Sequence, residues 1–114
     1  MTPILVANAR KLDKVPAGHT LVYVGRKTTY KPEYGLDFSV LGNPFTTRQH
    51  SREQAIALYR QHIGPRDRYG TAEGGALDNL RERLKYGEQL ALVCWCHPKS
   101  CHADVLKERL DGNK

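Results

Sequence analysis

Leu90-Ala91-Leu92-Val93-Cys94-Trp95-Cys96 is the longest apolar stretch of the chain, and polar residues stand on both sides of it. Its side chains do not alternate between polar and apolar, which is typical of a strand covered on both faces in a parallel sheet. The stretch is far shorter than the roughly 20 apolar residues of a membrane-spanning helix. It therefore predicts a central β-strand with packed layers on both sides.

Two further strands are predicted closer to the N-terminus. Ile4-Leu5-Val6-Ala7-Asn8 is a short apolar segment, and Leu21-Val22-Tyr23-Val24-Gly25 combines β-branched and aromatic residues before a glycine. Residues 26–50 show no regular period, and Asp37-Phe38-Ser39-Val40-Leu41 is a candidate for a brief strand within them. Loops of this length in a compact domain are often functional.

Three helices are predicted in the rest of the chain. The first begins with the capping box Ser51-Arg52-Glu53-Gln54 and ends at Gly64-Pro65. Residues 66–75 are polar and glycine-rich and are predicted as a loop. A second helix then carries leucines at helical spacing, and a third extends from about Cys101 to Leu110. Strands that alternate with helices predict a single small three-layer α/β domain over residues 1–114, with a short, mostly parallel sheet.

Composition narrows the class of protein. The chain has 114 residues and a formal net charge of +6, and one domain is typical of this length. The N-terminus has neither the basic start nor the long apolar segment of a signal peptide. We therefore expect a cytoplasmic protein that does not insert into membranes. The positive charge permits a nucleic acid or a phosphorylated ligand as partner.

Thiol and imidazole groups are concentrated in one short segment, Cys94 to His102. All three cysteines of the chain lie there, and an odd, clustered set is unlike a secreted disulfide scaffold. Such thiols stay reduced in the cytosol and serve metal binding or chemistry. Strand alternation places Cys94 and Cys96 on the same face, at the carboxyl end of the strand, where open α/β sheets bind their ligands.

Two chemical interpretations of this cluster stand beside a structural one. In the first, Cys94, Cys96, Cys101 and either His97 or His102 bind a zinc ion, although the spacing is not a common zinc pattern. In the second, Cys96 or Cys101 is a reactive or ligand-contacting thiol, because a helix N-terminus and a neighbouring histidine favour the thiolate. His102 is then a further candidate for catalysis. In the third, the thiols are small core residues.

A second set of candidate ligand-binding residues follows the predicted strands. Gly25 and Arg26 end one strand, and Gly42, Asn43 and Pro44 interrupt the long loop. A glycine at a strand end lets a ligand approach the backbone, and a guanidinium group offers a planar fork of donors to a phosphate or carboxylate. Asn43 can both donate and accept hydrogen bonds. The common nucleotide-binding glycine motifs and the hydrolase nucleophile motif are absent from the sequence.

Several of these segments together resemble a small family that occurs in bacteria and bacteriophages and is labelled a domain of unknown function. The resemblance extends from about Ile4 to Leu110, and Leu41 departs from it because tryptophan is expected there. It implies a compact Rossmann-like domain of the kind that handles nucleotides or nucleoside derivatives. Its motifs are Val22-Tyr23-Val24-Gly25-Arg26, Gly42-Asn43-Pro44-Phe45, Arg52-Glu53 opening a helix with Tyr59-Arg60, Cys94-Trp95-Cys96 and Cys101-His102-Ala103-Asp104-Val105-Leu106.

We therefore expect a small α/β protein that binds a nucleotide or another phosphorylated small molecule where the cluster meets the two glycine-containing segments. Arg26 and the N-terminus of the last helix hold the anion in this hypothesis. The alternative is a non-enzymatic, zinc-stabilised module that binds nucleic acid or a host protein through one basic face. That face would contain Arg10, Lys11, Arg48, Arg52, Arg66 and Arg68.

Overall fold

The computed structural model describes residues 3–97 and 99–111 and contains four strands and three α-helices within them. The strands are β1 (Ile4–Asn8), β2 (His19–Tyr23), β3 (Leu36–Asp37) and β4 (Gln89–Cys94). The helices are α1 (Arg52–Arg66), α2 (Ala72–Lys85) and α3 (His102–Asp111). Short 3₁₀ turns occur at Leu12–Lys14, Lys27–Thr29, Pro32–Tyr34 and Ser39–Leu41.

The strands form one sheet in the order β1-β4-β2-β3, and every neighbouring pair is parallel. The last strand of the sequence therefore lies between the first two. Leu92 is opposite Val6 on one side and Val22 on the other. Leu90 to Cys94 are all buried. The predicted α/β fold and the central position of the apolar strand are confirmed.

The two faces of the sheet are covered differently. The three α-helices pack on one face, around a core to which Val22, Leu92 and Cys94 contribute. The other face carries a mostly aromatic cluster of Tyr23, Tyr34, Val93 and Trp95, covered by residues from the loops and 3₁₀ turns. The third layer is thus built from turns. The largest fully buried side chains of the helical face include Tyr59, Ile63, Leu77, Leu80, Leu90, Leu92 and Leu106.

The brief strand predicted at 37–41 is mostly wrong. Only Leu36–Asp37 pairs with the sheet, and the chain then turns into a 3₁₀ segment. Asp37 causes the turn, because its carboxylate accepts a hydrogen bond from Ser39 N at 3.0 Å. Leu41 follows and is fully buried, and its carbonyl accepts a 2.6 Å hydrogen bond from the Tyr59 hydroxyl. Leu41 is therefore part of the hydrophobic core.

The loop predicted at 66–75 is shorter than expected, because α2 begins at Ala72. Thr71 caps this helix by accepting a hydrogen bond from Gly74 N at 2.8 Å. The glycines of this segment have low helix propensity and favour a loop in the sequence. Gly74 serves the packing instead, since a Cβ there would lie 1.9 Å from Arg68 O. At the other side of the loop, α1 extends through Pro65 to Arg66.

None of the helices in residues 3–97 and 99–111 is long and apolar enough to cross a membrane.

An ion network links the three helices. Asp67, directly after α1, accepts two hydrogen bonds from Arg81 of α2 at 2.8 and 2.6 Å and one from Arg109 of α3 at 2.9 Å. The Asp67 side chain is only 5% exposed. These hydrogen bonds, with that of Arg81 first, hold the pKa of the Asp67 carboxyl below its usual value. The Asp67 carboxylate thus balances the positive charges of Arg81 and Arg109 at the point where the three helices meet.

Replacing this carboxylate should destabilise the fold. Asp67→Asn is expected to lower the free energy of unfolding by about 2 kcal/mol, since it removes charge-assisted hydrogen bonds. Asp78→Asn is the matched control, because Asp78 is 61% exposed and makes one contact with Arg81; its cost should stay below about 1 kcal/mol. Urea unfolding measures both, and equal effects would contradict the role of the network.

The hydrogen bonds between Asp67 and its two arginines also make the stability of the fold depend on pH. Because the pKa of Asp67 is lower in the folded than in the unfolded chain, its stabilisation is present above the unfolded pKa of about 4 and is lost as the pH falls through the folded pKa. The stability difference between the wild type and Asp67→Asn should therefore narrow as the pH is lowered below about 4. A constant difference down to acid unfolding would contradict the assignment.

Candidate functional site

A cleft of about 240 Å³ opens at the carboxyl edge of the sheet. Residues 25–26 enter it after β2 and residues 94–96 at the end of β4, while residues 100–102 contribute the start of α3. Arg52 from the start of α1 and Asn43 from the long loop complete its wall. Parallel α/β sheets bind ligands in this position, because the connections of neighbouring strands diverge there and leave a crevice.

Most of the predicted site residues come together in this cleft. Gly42 and Pro44 do not line it and border a shallow surface next to it together with Arg26 and Asn43. His97, the other histidine considered as a zinc ligand, also lies outside it and lines a different depression. Those that line the cleft are Gly25, Arg26, Asn43, Cys94, Cys96, Cys101 and His102. Segments more than 70 residues apart in sequence, from Gly25 to Cys101, thus form one concave surface.

Gly25 and Gly42 are explained by packing. A Cβ on Gly25 would lie 2.5 Å from the Tyr23 hydroxyl oxygen, and one on Gly42 would lie 2.9 Å from Gly25 O. The two glycines therefore let the long loop rest against the end of β2. This contact brings Asn43 and Arg26 to the same side of the cleft.

Asn43 uses its amide to hold the wall in place. Its Oδ1 accepts a hydrogen bond from Phe45 N at 2.9 Å, and its Nδ2 donates to Ala55 O in α1 at 3.3 Å. The first bond forms a local turn and the second fastens the loop to the helix. Asn43 thus positions the loop, and one N–H and one lone pair of the amide are left for a ligand.

The permanently charged side chains of the cleft are both cations. Arg26 and Arg52 line it, and no aspartate or glutamate does so among the described residues. Arg52 donates to Ser100 O at 3.1 Å, while Arg26 is exposed and forms no ion pair in the described part of the chain. Two guanidinium groups without a carboxylate partner make the cleft attractive to anions.

The three thiols meet at the base of the cleft. Cys94 Sγ lies 3.2 Å from Cys101 Sγ, and these two residues are 1% and 3% exposed. Cys96 is half-buried and is the thiol that solvent can reach. Hydrogen bonds from the Cys101 thiol and then from Arg52 lower the pKa of Cys96 to about 6. The pKa of Cys101 is raised, because its S–H donates to both other sulfurs and is buried.

His102 is held as a neutral imidazole. Its Nε2 lies 2.6 Å from Val24 O, and a carbonyl oxygen only accepts, so Nε2 carries the proton. Burial then lowers the pKa of the ring. Nδ1 is left as the one ring nitrogen with a free lone pair, and it alone can act as a base.

The arrangement of the three thiols and His102 gives limited support to a metal centre. Within residues 3–97 and 99–111, no group of three or more His, Cys, Asp and Glu side chains is arranged to hold a metal ion. Of the proposed zinc ligands, His102 directs its Nε2 to the Val24 carbonyl. The thiols make sulfur–sulfur contacts in which protons are shared. Zinc binding by Cys94, Cys96, Cys101 and His102 stays a prediction.

Arg52 and Trp95 line the cleft, although the sequence pattern does not single them out as ligand-binding residues. Arg52 is the first residue of α1, and the capping box fixes where this helix begins. The indole of Trp95 donates to the Tyr23 hydroxyl at 3.2 Å, and Arg10 stacks on the ring at 5.3 Å. β4 ends at Cys94, so a bend turns part of the indole towards the cleft. Phe45, Thr29, Thr47 and Ser100 also line it.

Fold and site together define a small all-parallel α/β domain with a cationic, thiol-containing cleft at the carboxyl edge of its sheet. The chain belongs to the family described as domain of unknown function (DUF4326), whose model matches residues 7–112. The expected membership in a family of this description is thereby confirmed. Comparison with curated proteins and with solved structures gave no significant match.

The contact between Arg52 and Cys96 can be tested by alkylation. The rate at which iodoacetamide modifies Cys96 should rise with pH around a midpoint near 6, because the thiolate is the reactive form. Arg52→Gln should shift this midpoint upward and lower the rate at pH 6 by about five-fold. Peptide mass spectrometry identifies the modified thiol.

Arg48→Gln is the control for this experiment, because Arg48 is exposed and does not line the cleft. It should leave the midpoint unchanged. A wild-type midpoint near 8.5, the ordinary thiol pKa, would contradict the interaction.

Proposed function

We propose that this cytoplasmic protein binds a nucleotide or another phosphorylated small molecule in the cleft between β2, β4 and the starts of α1 and α3. One observation carries the proposal: Arg26 and Arg52 face the cleft, and no acidic side chain among the described residues balances them there. A phosphate group accepts the planar forks of donors that two guanidinium groups offer.

Backbone N–H groups at the start of α3 add to the preference of the cleft for an anion. The cleft includes residues 100–102 at the start of α3, and helix N-termini favour anions through their exposed N–H groups. Asp104 accepts a hydrogen bond from Cys101 N at 2.9 Å, so one of these groups is already satisfied. The two arginines are therefore the main phosphate ligands in the proposal, and the helix start assists them.

The size and the walls of the cleft favour a ring-bearing ligand. About 240 Å³ lies just below the usual range of small-molecule sites, which is roughly 300–1,000 Å³, so the cleft suits a small ligand. Trp95 and Phe45 supply aromatic surface, and Ile56 and Ala55 supply aliphatic surface. A base or sugar ring fits against such walls while its phosphate extends to Arg26 and Arg52.

Cys96, Cys101 and His102 are the candidate catalytic residues of the site. Cys96 combines solvent access with a stabilised thiolate, which makes it the candidate nucleophile. His102 Nδ1 is the candidate base, since the other ring nitrogen is occupied by Val24 O. Cys101 donates its S–H to Cys96 and assists the thiolate.

The alternative, a zinc-stabilised module that binds nucleic acid or a host protein, has weaker support. Arg52 and Arg66, two residues of its basic face, lie at opposite ends of α1, about 20 Å apart at 1.5 Å per residue, so such a face would extend along the whole helix. Arg66 also donates to His62 O. Among the described residues no group of three or more His, Cys, Asp and Glu side chains is arranged to hold a metal ion, so the zinc of this alternative has little geometric support.

Binding can be followed through the protein's single tryptophan, Trp95, which lines the cleft. Nucleoside monophosphates should change its fluorescence saturably, and the corresponding nucleosides should bind more weakly because they lack the anion. Arg26→Gln and Arg52→Gln are each expected to weaken binding by about 10- to 100-fold, the equivalent of one charge-assisted hydrogen bond. Isothermal titration calorimetry supplies the dissociation constants.

Arg68→Gln is the matched control, since Arg68 has an exposed side chain between α1 and α2 and does not line the cleft. It should leave the dissociation constant unchanged. An equal loss in Arg68→Gln, or no saturable binding of any phosphorylated compound, would contradict the proposal. Oligonucleotide binding that weakens steeply with salt would favour the alternative.

A further inference from the structure

The shallow surface bordered by Gly42 and Pro44 adjoins the cleft. Its volume is about 550 Å³, and Arg26 and Asn43 line both this surface and the cleft. The two spaces are therefore contiguous at these residues. The cleft alone, at about 240 Å³, is smaller than a usual small-molecule site. A ligand that is anchored in the cleft thus has room to extend past Arg26.

Three cations mark the path between the two spaces. Arg52 lines only the cleft, Arg26 lines both spaces, and Lys27 lines only the shallow surface. The Lys27 side chain is 81% exposed, and its contact with Asp37 is 3.4 Å long. An exposed ion pair of this kind is weak, so the ammonium group is available to another anion. A diphosphate that follows this path meets a cation at each of its phosphates.

Glu73 lines the same shallow surface with a carboxylate that lacks hydrogen-bond donors. The side chain is only 22% exposed, its ion-pair contact with Arg66 is 4.0 Å long, and within residues 3–97 and 99–111 it accepts no hydrogen bond. The Asp67 carboxylate, by contrast, accepts three. A carboxylate that is largely removed from water needs donors. Glu73 is therefore a free acceptor for a ligand that carries hydroxyl groups.

The other walls of the shallow surface suit a neutral, hydroxyl-bearing group. Ser39 and Thr46 contribute hydroxyl groups, and Val40, which is 44% exposed, contributes apolar surface. A further phosphate would meet the Glu73 carboxylate, which repels it. A sugar instead donates its hydroxyls to this carboxylate and to the neighbouring side-chain oxygens, while its C–H groups rest on Val40.

We propose that the ligand of the cleft is a nucleoside diphosphate sugar whose sugar occupies the shallow surface. The nucleoside lies in the cleft, the diphosphate follows Arg52, Arg26 and Lys27, and Glu73 accepts hydrogen bonds from the sugar hydroxyls. This inference rests on the proposed nucleotide binding and specifies its ligand. It makes Glu73 and Lys27, which lie outside the cleft itself, the residues that distinguish a sugar diphosphate from a simple nucleotide.

The test compares ligands of increasing length on the full chain by isothermal titration calorimetry. UMP, UDP and UDP-glucose form one series, and AMP, ADP and ADP-glucose form the other. For the base that binds, the affinity should rise by about ten-fold or more from the monophosphate to the sugar diphosphate, because the longer ligand gains Lys27 and Glu73.

Two variants assign this gain to its residues. Glu73→Gln should weaken binding of the sugar diphosphate by about ten-fold, the effect of losing one charge-assisted hydrogen bond. Lys27→Gln should weaken binding of the diphosphate and the sugar diphosphate alike, by about five-fold. Both variants should bind the monophosphate as the wild type does, and this result also shows that they fold.

Glu82→Gln and Lys31→Gln are the matched controls, because Glu82 and Lys31 are exposed and line neither space. They should leave every dissociation constant unchanged.

Equal affinities for the monophosphate and the sugar diphosphate would overturn this inference and leave nucleotide binding intact. The same holds if Glu73→Gln weakens both ligands equally. A diphosphate that binds as tightly as its sugar ester, and more tightly still in Glu73→Gln, would assign the shallow surface to a phosphate and would also overturn it. If no phosphorylated compound binds, nucleotide binding and this inference fail together.

Discussion

The insertion of β4 between β1 and β2 governs the architecture of this protein. A strand that is buried on both faces and paired on both edges has no place to put a polar side chain until it ends. The residues of this segment that line the cleft, Cys94, Trp95 and Cys96, therefore lie at its carboxyl end. Asn8, at the end of β1, fastens this exit by donating to the carbonyl oxygens of Trp95 at 3.3 Å and His97 at 2.8 Å. The buried part of β4 thus comes first in the segment, and the residues that line the cleft follow at its carboxyl end.

The unequal covering of the sheet has a second effect. With all three helices on one face, the starts of α1 and α3 converge beside the exit of β4, and Arg52 reaches the Ser100 carbonyl. On the opposite face, the hydroxyl of Tyr23 donates to Arg26 O at 2.7 Å and so fixes the turn that carries the other arginine. Each of the two layers that cover the sheet therefore contributes one cation to the cleft.

Much of the fold follows from the sequence, because periodicity and caps are local properties. The capping box at Ser51 and the two-sided apolar character of β4 were sufficient to predict these elements. The candidate site was predicted less completely. Cys96, Cys101, His102 and Arg26 stand out by residue type and by their positions at element ends. Arg52 and Trp95 do not, because their place in the cleft results from how α1 packs and from a bend after β4, and neither is visible in a local pattern. Gly42 was predicted as a ligand-binding residue, but it lies outside the cleft, and the structure explains its glycine by a close backbone contact with Gly25.

Arg52 stands between two negative groups that the cleft is proposed to hold. The Cys96 thiolate already interacts with its guanidinium, and a bound phosphate would draw on the same charge. Two anions that share one cation are thermodynamically linked, so each weakens the other by the same factor. A ligand that engages Arg52 would make Cys96 more basic, so a smaller fraction of this thiol would be ionised at a given pH. In such an arrangement the charge on the Cys96 sulfur sets the affinity of the cleft for its anion.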